Sequence, residues 1–111
     1  MAALILILLA MQAGPVGGDG ISSVVREMRA CMDREVHQLE PSGESADIVA
    51  DAARTICEPE RDAIANRAAG RGSTPEGGAR IAERVLAELD EQIMRRAVLQ
   101  VTQIRADRHR Q

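Results

Sequence analysis

The sequence predicts an all-α fold: a small three-helix bundle, made of a helical hairpin plus a long third helix, with one disulfide, after an N-terminal signal peptide. Three observations carry this. Aliphatic residues recur at a 3-4 spacing along three stretches separated by Pro and Gly. The chain has two cysteines, an even count that suits an oxidised pair. It opens on an uncharged apolar run of the length of a signal-peptide core.

That run, Met1 to Met11, reads Met-Ala-Ala-Leu-Ile-Leu-Ile-Leu-Leu-Ala-Met. It stops at Gly14-Pro15, and the small residues around it predict cleavage near residue 13, after Ala13, or near residue 18, after Val16-Gly17-Gly18. Residues 1–18 are thus expected to be a signal peptide and 19–111 the helical domain, exported to a periplasmic or extracellular location. A buried N-terminal helix and an uncleaved anchor are the competing readings. Four Gly or Pro residues within about eighteen would span a ~30 Å hydrocarbon core poorly. No Cys follows the run directly, which leaves no lipoprotein attachment site.

The first helix is expected over about 20–40. Its apolar residues Ile21, Val24, Val25, Met28, Cys31, Met32, Val36 and Leu39 line one face. Glu40-Pro41-Ser42-Gly43 should end it, because a proline disfavours helical geometry in the residue before it and a glycine lets the chain turn. The second helix is expected over about 44–69. Ser42 or Ser45 can cap it, Glu44 and Asp47 suit the positive end of its dipole, and a break is expected near Pro59. Ile48, Val49, Ala52, Ala53, Ile56 and Cys57 form its apolar face. Folding this helix back about a turn near residue 43 brings Cys57 within about one helical turn of the level of Cys31. A Cys31–Cys57 disulfide is therefore predicted, and on the chain-entropy argument it stabilises the fold by about 3.5 kcal/mol.

The third helix, over about 75–107, has the clearest start. Ser73-Thr74-Pro75-Glu76 contains a Ser-x-x-Glu capping box, with Thr74 before Pro75 an equally good cap. Gly77 and Gly78 weaken its first turn. Ala82, Leu86, Leu89, Ile93, Ala97, Val101 and Ile104 form its stripe, while Glu76/Arg80 and Glu91/Arg95 are i,i+4 pairs in the favourable orientation. Such a helix should outrun either partner, leaving its end to project or to meet a second copy.

Composition narrows the function classes. The formal charge is −3, and the chain has no Phe, Tyr or Trp. A nucleic-acid binder would normally show a basic surface and aromatic stacking platforms, so no nucleic-acid partner is expected. Met28, Cys31, Met32 and His37 include soft ligands, but the two Met belong to the core face and Cys31 to the bridge, so no metal or other cofactor is expected. With only His37 and His109 as imidazoles, and the cysteines oxidised, no nucleophile–base pair is available, and the chain is read as not an enzyme. The carboxylates Asp47, Asp51, Glu58, Glu60 and Asp62 are expected to be solvated. Gly70-Arg71-Gly72 and Gly77-Gly78 lack the strand and lysine of a phosphate loop.

The strongest functional hint is a charge asymmetry. Arg95, Arg96, Arg105, Arg108, His109 and Arg110 make the C-terminal part basic, whereas residues 40–62 are acidic. Cations there complement the helix dipole and can pair with the second helix. As a binding surface, Arg95, Arg96, Arg105, Arg108 and Arg110 would contact an unidentified protein partner, a second copy of the chain, or an anionic envelope surface. The expectation is a small exported helical protein that binds a partner or itself, with peripheral contact to anionic lipid as the alternative.

Overall fold

The structure is a computed structural model, and it describes residues 20–110. Among the described residues four α-helices follow in order: α1 Ile21–Leu39, α2 Ala46–Ile56, α3 Glu58–Ala69 and α4 Pro75–His109. The signal-peptide assignment to residues 1–18 lies outside the described residues. α2 and α3 run in series as one interrupted rod, so the four helices make a three-rod, up-down-up bundle. Arg61 on α3 reaches Asp90, and Arg105 near the end of α4 reaches the carbonyl of Glu44 just before α2. The middle rod therefore lies antiparallel to α4 along most of its length.

Each rod ends for a local reason. Proline has no N–H to continue the ladder, and after Leu39 the chain makes one 3-10 turn, Glu40–Ser42, that carries Pro41 at its start. Gly43 then takes a left-handed conformation, φ 81°, which a side chain at that position would resist. Ser45 stands at the N-cap of α2 but makes no capping hydrogen bond. The Oγ of Ser42 instead accepts from the N–H of Glu44 at 3.3 Å, which orders the connection. The expected break falls at Cys57, and Pro59 sits in the first turn of α3, where a missing N–H costs nothing. Of the two caps offered before α4, the chain uses Thr74, whose Oγ1 accepts from the N–H of Gly77 at 3.0 Å.

Gly78 has a packing role. A Cβ there would lie 2.5 Å from the carbonyl oxygen of Ala69. Its absence lets the start of α4 press against the end of α3. Of the two glycines that weaken the first turn by propensity, Gly78 thus permits the tight α3–α4 corner.

The core is aliphatic and sulfur-rich. Met28, Met32 and Val36 of α1 meet Val49, Ala50 and Ala53 of α2, Ile64 of α3, and Leu89, Ile93, Ala97 and Val101 of α4. Cys31 and Cys57 form a disulfide with Cα atoms 6.0 Å apart, in the middle of this core. No described helix is long and apolar enough to cross a membrane. α4 does not project freely at its C-terminal end. Val101 is fully buried, Ile104 is half-buried, and the last turns are tied to the end of α1 by ion pairs.

Candidate functional site

The five arginines Arg95, Arg96, Arg105, Arg108 and Arg110 all lie on α4, yet they do not converge on one face. Arg95 and Arg96 stand nine or more positions before Arg105, at least ~13 Å along the axis, while Arg105 and Arg108 share a side and both reach Glu40. Each is engaged within the chain. Arg95 pairs with Glu91 at 2.8 Å, one turn back on its own helix. Arg96 crosses to Asp33 of α1 at 3.2 Å, and Arg110 lies 3.6 Å from Asp107.

Arg105 and Arg108 meet at a different kind of partner. Glu40, only 1% exposed, is the buried charged residue among those described. Arg108 Nη2 lies 2.7 Å from its Oε1 and donates to its Oε2 at 2.8 Å. Oε1 gets charge compensation without a well-aligned hydrogen bond. Arg105 donates to the main-chain carbonyls of Glu40 and Glu44 at 3.1 and 2.6 Å, with its Nε 3.8 Å from the Glu40 carboxylate. The hydrogen bond from Arg108 holds the Glu40 carboxyl below its ordinary value of 4.5 although burial opposes this, and the charges of Arg108, Arg105 and His37 add to the lowering. The same bond raises Arg108 further above its already high value. The node closes the 3-10 turn against the long helix, giving the Glu44 carbonyl a donor and adding a second one to the Glu40 carbonyl, which also accepts from the N–H of Gly43.

A second cross-helix pair sits higher in the bundle. Arg61 donates from Nε and Nη2 to the two oxygens of Asp90, at 3.0 and 2.7 Å, a bidentate geometry in a half-buried setting. The hydrogen bond to Asp90 raises Arg61 above its usual value.

The remaining candidates separate widely. Met28 and Met32 are core residues, while His37 is exposed and donates from Nδ1 to the carbonyl of Asp33 at 2.8 Å. Asp51 pairs with Arg54 and Glu58 with Arg61, as expected of solvated acids on a helix surface. Glu60 does not behave this way. One of its carboxylate oxygens lies within 4.8 Å of both disulfide sulfurs, and its Oε2 is buried with no hydrogen-bond partner. A cleft between α1 and α4, lined by Arg29, Met32, Asp33, Ile93 and Arg96 among others, has room for about one water molecule.

Glu40 and Glu60 are the residues that reading along the chain passed over, although each left a trace. Glu40 continues the stripe Met28-Met32-Val36 by four positions. Glu60 stands three positions after Cys57 and four before Ile64. Both are acids at places in a stripe that should hold apolar residues.

Comparison with protein-family models finds no match, and comparisons with curated protein sequences and with solved structures find none either.

Proposed function

We propose that this chain is an exported, noncatalytic helical scaffold that works by contact with another polypeptide, a partner or a second copy of itself. One observation carries the reading: an apolar ridge on α2. Ile48 and Ile56 are 54% and 49% exposed, two turns apart, with Ala52 between them at i+4 spacing. The core face of α2 is already filled by Val49, Ala50 and Ala53. Two largely solvated isoleucines on one stripe therefore add little to folding, and such patches mark interaction surfaces.

Export to a periplasmic or extracellular location is supported by the disulfide, since such bonds persist in oxidising compartments. The noncatalytic part is supported by the cysteines being joined to each other and by the His37 Nδ1 being engaged on a main-chain carbonyl.

A photoreactive residue at position 48 or 56, introduced into the chain in intact cells, is expected to give a discrete cross-linked species that a neighbouring Ile→Glu change abolishes. A probe at the exposed Ser22 of α1 is the control. Cross-linking at 48 and 56 no stronger than at 22, together with a monomer in analytical ultracentrifugation, would remove this reading.

A second reading is contact with anionic lipid through the arginines of α4. In its favour, the side chains of Arg95, Arg108 and Arg110 stay 68%, 57% and 75% exposed while paired. Vesicles of phosphatidylglycerol at low salt test it. Binding that is lost on Arg95 and Arg110→Ala, which leave the Glu40 node intact, supports it, and no binding removes it.

A further inference from the structure

We propose that Cys31, Cys57 and Glu60 form a binding site for a divalent cation of the zinc class when the two cysteines are thiols, the form in which the chain is synthesised. The site is independent of the apolar ridge and of the arginines of α4.

The geometry supplies the donors. Both Sγ atoms and a carboxylate oxygen of Glu60 lie within 4.8 Å of one another. The Cα atoms of the two cysteines are 6.0 Å apart. Two thiolates on one tetrahedral zinc ion sit about 3.8 Å from each other, given a Zn–S distance of about 2.3 Å. Opening the bridge to that separation takes rotations of the two side chains and little movement of the backbone. Glu60 then needs only a small shift to reach about 2.0–2.2 Å from the ion. Cys57 and Glu60 are three positions apart across the start of α3, a spacing that places both on one side of the helix. Cys31 approaches from α1 to complete a three-ligand set, and the second Glu60 oxygen or a water fills the fourth position.

The second observation is the state of Glu60 itself. A buried carboxylate oxygen without a donor is costly, and Oε2 is in that position. The same carboxylate has an oxygen within 4.8 Å of both sulfurs, which as a disulfide have no proton to offer it. In the reduced chain, an ion held by the two thiolates would give the Glu60 carboxylate the partner it lacks in the disulfide form. The chemistry balances as Cys31–SH and Cys57–SH giving up their protons to solvent while both thiolates bind the cation. Oxidation of the pair to the disulfide removes both thiolate donors and abolishes the site, so metal and bridge are alternative staples for the same two helices.

The test uses the processed chain reduced with a trialkylphosphine, which takes the oxygen of water as the phosphine oxide while the disulfide becomes two thiols. After anaerobic removal of the phosphine, Co²⁺ and Zn²⁺ are titrated in. One ion per chain is expected, with thiolate-to-cobalt charge-transfer absorption, release of about two protons per ion, and a higher thermal midpoint than the reduced, metal-free chain. Glu60→Ala should weaken binding at least about tenfold, since even outer-shell partners of a metal site are worth that much. If the reduced chain loses helix, the metal should restore its circular dichroism. The oxidised chain should take up no ion. Absence of charge transfer and proton release would overturn the proposal, and so would Glu60→Ala binding as tightly as wild type or failure of the metal to restore lost helix.

Discussion

A carboxylate placed where the stripe Met28-Met32-Val36 requires an apolar side chain must either take up a proton or find a cation, and Glu40 finds one. Arg108 donates to it and Arg105 stands beside it, so the charged form is favoured despite burial. Because its pKa is lowered in the folded chain, the unfolded chain binds the proton more readily over the interval below the ordinary carboxylate value. The stability that Glu40 contributes is therefore fully present above that value, and is lost as pH falls through the lower, folded one. Thermal unfolding followed by circular dichroism should show a midpoint nearly constant from neutrality to about pH 5 and falling below it. Glu40→Gln should have a lower midpoint at neutral pH and a shallower fall on acidification. Equal acid slopes for the two proteins would show that another carboxylate controls the transition. Glu40 was legible as an oddity of the pattern. Its partners were not, because nothing local relates position 40 to position 108.

Among the helices, the ion pairs are not of equal worth, and geometry sorts them. Glu91 and Arg95 have the spacing that stabilises an isolated helix, and the structure forms that pair, but both side chains are about 70% exposed. Water screens such a pair, and its removal should cost no more than about 0.5 kcal/mol. Arg61 and Asp90 join α3 to α4 through two parallel hydrogen bonds, with side chains 21% and 27% exposed. A double-mutant cycle with Arg61→Ala and Asp90→Ala, read by urea unfolding, should give a coupling of about 1 kcal/mol, against near zero for Glu91 and Arg95. A coupling of zero at Arg61–Asp90 would mean that the α3–α4 contact rests on apolar packing alone. The helix ends were largely readable because Pro41, Pro59 and Pro75 act within one turn of themselves. Ser45 shows the limit: it occupies the cap position without making the bond, while Ser42 and Arg105 satisfy the neighbouring backbone groups instead.

For the molecule as a whole, the absence of aromatic rings makes the covalent link weigh more. The largest fully buried side chains include Met28, Ile64, Val36, Val49 and Val101, so the apolar area removed from water per residue is small. The disulfide closes a loop with a sequence separation of 26, worth about 3.5 kcal/mol through the unfolded chain. Reduction in the presence of a chelator should lower the thermal midpoint by roughly 15–25 °C. The paired change Cys31→Ala and Cys57→Ala should match it. A fall of only a few degrees would place most of the stability in helix packing. By itself, the sequence determined the all-α class, the three amphipathic rods, their interruptions and the Cys31–Cys57 bridge, because stripe spacing and proline geometry act over a few residues. The tertiary structure alone decided that Arg96, Arg105 and Arg108 of α4 find partners across the bundle, that Glu40 is buried against Arg108, and that Glu60 lies beside the disulfide. Arg61–Asp90, Arg96–Asp33 and Arg108–Glu40 join residues 29, 63 and 68 positions apart. Which charges meet across such distances depends on the register in which the rods pack, and that register is set by the core as a whole.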